Sequence, residues 1–246
     1  MLKACDSQGE ATWAIVALKS PAEAKSRLRP YCSDDERRSL YFLMARKALL
    51  ALKAVPAIDK VLAVTASDEV ASFVKDLGGH VIRQPEDLGT RAAFAHALDS
   101  VMGGESPPPS RVLMISGDLP LITPAAVDEL LDRCRTQPGV AIIPDQRRQG
   151  TNGLVCSPPD AVEPCFGEDS LRRHCSAARA RGHQVQMIES RALSLDIDDH
   201  DDLVLLSELL APGAASDLDP GLAAWLHRHF SAVASRVGVI ENADCA

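Results

Sequence analysis

Lys19, Lys25 and Arg27 stand together in the segment Lys19-Ser-Pro-Ala-Glu-Ala-Lys-Ser-Arg-Leu28. Three neighbouring cations suit a di- or triphosphate, whose several negative charges call for charge-assisted donors; a basic loop can also be merely well solvated. Gly117-Asp118-Leu119-Pro120 follows an apolar run. An aspartate in that setting can hold Mg2+ against phosphate oxygens, or cap its own turn. Late in the chain comes Leu195-Asp196-Ile197-Asp198-Asp199-His200-Asp201-Asp202. In extended backbone Asp196 and Asp198 point the same way, because side chains repeat every second residue. Two carboxylates so placed repel unless a cation lies between them, which makes a divalent metal their natural partner. Asp199 to Asp202 read as helix-start acids favoured by the dipole.

Two further loops carry polar groups. Gly150-Thr151-Asn152-Gly153 offers a hydroxyl, an amide and a backbone that a ligand can approach closely. Phe166-Gly167-Glu168-Asp169-Ser170 ends where a helix begins, so its N–H groups could receive a phosphate or carboxylate. Turn chemistry alone would also account for either. His174-Cys175 has no traceable base–orienter arrangement, and His227 and His229 read as surface positions of a C-terminal helix. Neither GxxxxGK[ST] nor GxGxxG occurs, so kinase-like and dinucleotide-binding readings lose their usual support.

These loops need elements to hold them. Trp13–Leu18 reads as a buried strand, and Lys60–Thr65, His80–Arg83, Arg111–Ser116, Val140–Ile143, Gly153–Cys156 and Val185–Ile188 as further strands. Between them fall amphipathic stretches. Ser33 followed by Asp34, Asp35 and Glu36 predicts a capped helix reaching Lys53, with Leu40, Leu43, Met44, Ala48 and Leu52 on one face. Further helices are expected over Asp68–Leu77, Thr90–Val101, Pro124–Arg135 with Thr123 as cap, Ser170–Arg181 and Asp199–Leu210. Such alternation predicts an α/β fold, a mostly parallel central sheet with helices on both faces. Ligands then bind at the carboxyl ends of the strands, where the cation-rich and acidic loops lie. One domain over residues 1–211 is expected. A helical extension over 212–246 follows, with Asp219 capping a helix from Pro220 to Arg236 that could dock on its own domain or on a second copy, as in a homodimer.

The chain has 246 residues, 46% hydrophobic and 24% charged, with a net charge of −8. That acidity makes a sequence-independent grip on nucleic acid or an anionic membrane a poor expectation. An anionic substrate must be held by local positive charge or a bridging metal. Seven scattered cysteines without a CxxC pair suggest neither a disulfide framework nor a zinc site. No apolar run approaches ~20 residues and the first residues lack a signal-peptide core, so a cytoplasmic protein is expected.

In order and spacing, the motifs of residues 12–206 resemble the 2-phospho-L-lactate guanylyltransferase (CofC/FbiD) family of MobA-like nucleotidyltransferases. The likeness is carried by Leu18-Lys19 with Ala24-Lys25-Ser26-Arg27-Leu28, by Gly117-Asp118-Leu119-Pro120-Leu121 and by Thr151-Asn152. It continues in Phe166-Gly167-x-x-Ser170-x-x-x-His174 and Leu195-Asp196-Ile197-Asp198-x-x-x-Asp202-Leu203. The resemblance implies a Rossmann-like GT-A nucleotidyltransferase fold and a Mg2+-dependent transfer of GMP from GTP to a phosphorylated three-carbon acid, in the making of coenzyme F-420. It implies that Lys19, Lys25 and Arg27 bind the triphosphate, with Lys19, Lys25 and Asp118 catalytic. Asp118, Asp196 and Asp198 would hold the metal, and Thr151, Gly167 and Ser170 the acid. The base-recognition loop departs from the family pattern: Asp87-Leu-Gly-Thr-Arg91, with Gly89 and Thr90 as nucleotide-binding candidates, looks closer to a loop of a glycosyltransferase-like family. A GT-A-like sugar transferase, another MobA-like nucleotidyltransferase and a nucleotide-binding module without turnover therefore stand as alternatives.

Overall fold

The chain folds around a seven-stranded sheet whose apolar strands are bounded by capped helices. The computed structural model describes residues 11–104, 107–135, 139–209 and 219–230. In chain order the elements are β1 (Thr12–Ala17), α1 (Asp34–Lys53), β2 (Lys60–Thr65), α2 (Asp68–Asp76), β3 (His80–Arg83) and α3 (Thr90–Met102). They continue with β4 (Arg111–Ser116), α4 (Pro124–Arg133), β5 (Gly139–Pro144), β6 (Thr151–Ser157) and α5 (Ser170–Ala180). Last come β7 (Val185–Met187), α6 (Arg191–Ser194), α7 (His200–Leu209) and a helix over residues 220–230, here α8. The expected boundary at residue 211, and the expected helix beyond 230, fall outside the described residues.

The strand order is β3-β2-β1-β4-β6-β5-β7. β6 pairs antiparallel with both β4 and β5, and the other pairings are parallel. The mostly parallel sheet expected from the sequence is therefore present. Alternation sorts its side chains into two cores. Ala14, Val16, Ala63, Leu113, Ile115 and Val155 face α1, α2, α4 and α6. Ile15, Val64, Val112, Met114 and Leu154 face α3 and α5. Both faces are thus covered, as parallel strands require.

One local assignment changes. Thr151 and Asn152 belong to the first turn of no loop; they are the opening residues of β6. Because β6 runs against β4, its first residues lie beside the last residues of β4, with Ile115 opposite Gly153. An apolar run does not reveal its direction, so spacing alone missed this.

The start of α1 shows why it is well fixed. The Ser33 hydroxyl accepts from the Glu36 N–H, and the Glu36 carboxylate accepts from the Ser33 N–H at 2.7 Å. Asp34, Asp35 and Glu36 face the positive helix end. α1 then braces the loop after β1: the Tyr41 hydroxyl donates to the Lys19 carbonyl at 2.7 Å, and the Arg37 guanidinium to the Ala24 carbonyl at 2.9 Å.

Gly117 closes β4 where no side chain fits. A Cβ there would stand 2.6 Å from Leu18 Cδ2 and 3.2 Å from Val16 Cγ1, both buried. Gly117→Ala is expected to cost about 1–3 kcal/mol through overpacking, read as a lower urea midpoint with an unchanged slope.

Candidate active site

At the carboxyl edge of β1 and β4, the loops from the sequence reading converge on a cavity of about 840 Å³. It is lined by Lys19, Lys25, Arg27, Thr90, Asp118, Thr151, Gly167, Ser170, Asp196 and Asp198. Of the site residues expected from sequence, Gly89 does not line it. Gly89 has φ +87 and its N–H donates to the Asp87 carboxylate at 2.9 Å, so it forms the turn that brings Thr90 to the wall at the start of α3.

Lys25 lies at the centre. Its backbone is left-handed, φ 55 and ψ 37, leading into a short turn over Ser26–Leu28. Its side chain is only 6% exposed. The ammonium donates to the Asp118 carboxylate in a very short contact and to Asp198 at 3.4 Å. Burial alone would lower the Lys25 ammonium, but the charges of Asp118, Asp198 and Asp196 outweigh it and the net shift is upward. Lys25 is therefore firmly cationic. Arg27 stands farther out, 3.9 Å from Asp198 and 69% exposed, free to turn toward a ligand.

The acids come from two segments tied together. The Ile197 N–H donates to the Asp118 carbonyl at 3.3 Å, which joins the β4 loop to the Asp196–Asp198 stretch. Asn152, at the head of β6, donates to the Asp196 carboxylate at 3.2 Å and to the Leu193 and Ser194 carbonyls at 3.2 and 2.9 Å. Asp196 is pushed up to about 7, first by burial and then by the charges of Asp118 and Asp198, with Asn152 and Lys25 opposing. One ammonium thus leaves the three acids with a surplus of negative charge. Beyond them, Asp199 and Asp202 cap α7 reciprocally, Asp202 also accepting from the Asp198 N–H at 2.8 Å.

Among the described residues no three acidic, His or Cys side chains form a ready-made metal cage. The oxygen donors still suit Mg2+, which binds through one or two carboxylates together with waters and substrate phosphates rather than a closed protein cage. The residues present fit such an ion.

The opposite wall has a different chemistry. Thr151 and Ser170 are buried but reach the cavity, and Gly167, with φ +109 and nothing within 4 Å of a built Cβ, leaves open space there. His174, overlooked as a partner in sequence, organises this wall. Its Nε2 accepts the Cys165 N–H at 2.7 Å, so the neutral ring carries its proton on Nδ1, 3.0 Å from the Thr151 hydroxyl oxygen. The Thr151 O–H is then left to donate elsewhere. Tyr41, Asp145, Arg147 and Gln149 also line the cavity without having been singled out in sequence. Arg147 is half-exposed and pairs with Asp199 and Asp202, each at 2.9 Å. Nothing local marks Arg147, since its partners lie 52 and 55 positions away.

The fold is that of the nucleotide-diphospho-sugar transferases. A solved protein described as a nucleotide-diphospho-sugar transferase, from Desulfovibrio desulfuricans G20, superposes with a TM-score of 0.70 at 17% identity, covering 89% of this chain and 97% of that one. The 4-diphosphocytidyl-2C-methyl-D-erythritol synthase of Anaerococcus prevotii gives 0.57 at 11% identity, covering 82% and 96%. More narrowly, the chain belongs to the CofC-like guanylyl transferase family, whose family model matches residues 12–216. It is 36% identical over 205 residues to the phosphoenolpyruvate guanylyltransferase of Conexibacter woesei, 81% of this chain and 89% of that protein. It is 34% identical to the 3-phospho-D-glycerate guanylyltransferase of Phenylobacterium zucineum, over 78% and 87%. It is 32% identical to the 2-phospho-L-lactate guanylyltransferase of Methanothermobacter thermautotrophicus, over 78% and 82%.

Burial lowers the His174 imidazole from 6.5 to about 4, with the Arg173 charge adding and a Ser170 backbone bond opposing. The folded state prefers the neutral ring, so its contribution is complete above pH 6.5 and is lost as pH falls from there toward 4. That amounts to about 3 kcal/mol. Urea unfolding between pH 7.5 and 4.5 should show this slope, and His174→Gln should flatten it.

Proposed function

We propose that this protein transfers GMP from GTP to a phosphorylated three-carbon carboxylic acid and releases pyrophosphate. The observation that carries the reading is the meeting of Lys25 with Asp118, Asp196 and Asp198 at the cavity floor, in a member of the CofC-like family. A phosphate oxygen of the acid attacks the α-phosphorus of GTP. A new P–O–P bond forms, the bond to the β-phosphate breaks, and its electron pair leaves with pyrophosphate. The acid's phosphate is already anionic near neutral pH, so no general base is needed. What remains is to hold two polyanions in line and to neutralise their charge.

Lys19, Lys25 and Arg27 take the triphosphate. Asp118, Asp196 and Asp198 would hold Mg2+, which supplies charge neutralisation at the phosphoryl oxygens when bound. Thr151 donates its hydroxyl and Gly167 its backbone N–H to the acid, and Ser170, whose own N–H donates to the Gly167 carbonyl, completes this wall at the start of α5. Relatives bearing three acceptor names, phosphoenolpyruvate, 3-phospho-D-glycerate and 2-phospho-L-lactate, support this substrate class and a place in coenzyme F-420 synthesis. Among the described residues no helix is long and apolar enough to cross a membrane, and none of the five described cysteines is in a disulfide, which suits a reducing cytoplasm. A homodimer would have to use a surface other than the apolar face of α8, which is buried within its own chain.

Incubation with GTP, ATP, CTP or UTP and each of the three acids, with Mg2+ and mass detection of products, tests donor and acceptor together. A GMP–acid adduct from GTP alone is expected; pyrophosphate-free mixtures throughout would overturn the reading. Asp118→Asn and Asp198→Asn should each lower kcat by roughly 10²–10⁴-fold, with far-UV circular dichroism unchanged. Wild-type turnover in either would remove the metal role.

A further inference from the structure

Helix α8 lies beyond residues 12–216, the part of the chain that the family model matches. Asp219 caps it, its carboxylate accepting from the Gly221 and Leu222 N–H groups at 2.9 and 3.2 Å. Arg46 of α1 stands 3.7 Å from the same carboxylate, and the Trp225 indole N–H donates to the Glu36 carbonyl at 3.1 Å. Leu222, Trp225 and Leu226 are 0%, 3% and 4% exposed. The helix is therefore firmly seated on its own chain.

What it is seated against gives it meaning. Its apolar residues close a third cluster, separate from the two sheet cores and containing no strand residue. The other members come from α1, α7 and the segments that carry the site's charges. Leu28 ends the turn that follows Lys25 and contains Arg27. Leu195 and Ile197 flank Asp196, and Ile197 precedes Asp198. Leu28 and Ile197 are fully buried, and Leu195 is nearly so. The two-residue alternation that turns Asp196 and Asp198 to the cavity turns Leu195 and Ile197 into this cluster. The cationic turn and the acidic segment are thus anchored in one apolar body, and α8 closes it.

We infer that α8, through Trp225 with Leu222 and Leu226, is a positioning element that fixes the Lys25 turn relative to the Asp196–Asp198 segment. A filler of the general core would touch strands; this cluster touches the reacting loops. Interiors are close-packed, so a void in this wall is felt by whatever is anchored opposite it. Misplacement of a catalytic group by ~1 Å can cost ~10²-fold in rate. The inference rests on the proposed metal–nucleotide role of those charged residues, so its test must read binding as well as turnover.

The test compares full-length wild type with Trp225→Phe, Trp225→Ala and Leu226→Val. Mn2+ binding in the presence of GTP is followed by electron paramagnetic resonance, and kcat and acceptor KM are measured alongside. Trp225→Ala is expected to weaken Mn2+ binding by roughly tenfold and lower kcat by roughly 10–100-fold, with acceptor KM within about twofold. Trp225→Phe, which refills the wall, should stay within about threefold of wild type on every readout. Should Trp225→Ala fail to fold, Leu226→Val decides, with an expected loss of about threefold in Mn2+ affinity at unchanged circular dichroism. Folded variants with wild-type Mn2+ affinity would overturn the inference, as would a loss confined to acceptor KM. Wild-type protein that binds no Mn2+ with GTP would instead defeat the reading of the site itself, and the inference with it.

Discussion

An ammonium buried among carboxylates is the constraint on which this structure turns. Lys25 is too buried to keep its charge unaided, and the charges of Asp118, Asp198 and Asp196 hold it cationic, while Asp196 is pushed up by burial and by its two acidic neighbours. Each side makes the other tolerable, and breaking a buried pair costs far more than a surface pair is worth. The consequence is topological. Three stretches separated by up to 173 positions must meet at one edge of the sheet, and Lys25 must accept a left-handed backbone to get there, a conformation that costs a non-glycine residue about 1–2 kcal/mol. Such strain persists where surrounding contacts over-determine it. Here the Arg37 and Tyr41 bonds from α1 on one side, and buried Leu28 on the other, supply that determination.

The reversed strand β6 solves a second placement problem. An all-parallel sheet would bring only strand ends to the active edge. Running β6 backwards brings a strand beginning there, so Thr151, paired with Pro144 of β5, and Asn152, at the register shift before Gly153, arrive on the sheet rather than on a free loop. Asn152 reaches the acids and Thr151 the opposite wall. One two-residue step therefore spans the two halves of the cavity, and the stiffness of the sheet fixes their separation.

Much of this was legible in the residues. The strands read as apolar runs and the α1 cap as Ser33 with its following acids, because both signals are local. The cation loop, Asp118 and the Asp196–Asp198 alternation were legible for the same reason: each is a short pattern with a chemical cost if left unpartnered. The direction of β6 was not, since a buried strand reads the same either way. Nor were Tyr41, Arg147 or the place of His174. Each acts through a partner distant in sequence, and a single tyrosine or arginine on a helix or hairpin carries no mark of the backbone it will meet. The amphipathic α8 was visible as a helix, but amphipathy says only that one face must be covered, never by what.

The charge inventory of the cavity bears on how two anions can enter an acidic protein. Among the described lining residues stand seven carboxylates, Glu23, Asp118, Asp145, Glu168, Asp169, Asp196 and Asp198, against four cations, Lys19, Lys25, Arg27 and Arg147. Arg147 is already engaged by Asp199 and Asp202, and Lys25 by the central acids. Asp169 in turn is held by Arg172, so the acids left facing a triphosphate are chiefly those around Lys25. On the proposed reading the nucleotide must bring positive charge with it, as a metal complex does, and that charge satisfies the surplus left by the three acids. The acid substrate, itself a polyanion, then faces a floor no longer negative. On that reading, neutralisation by the first ligand would make the second tolerable, and the metal–nucleotide complex would bind before the acid.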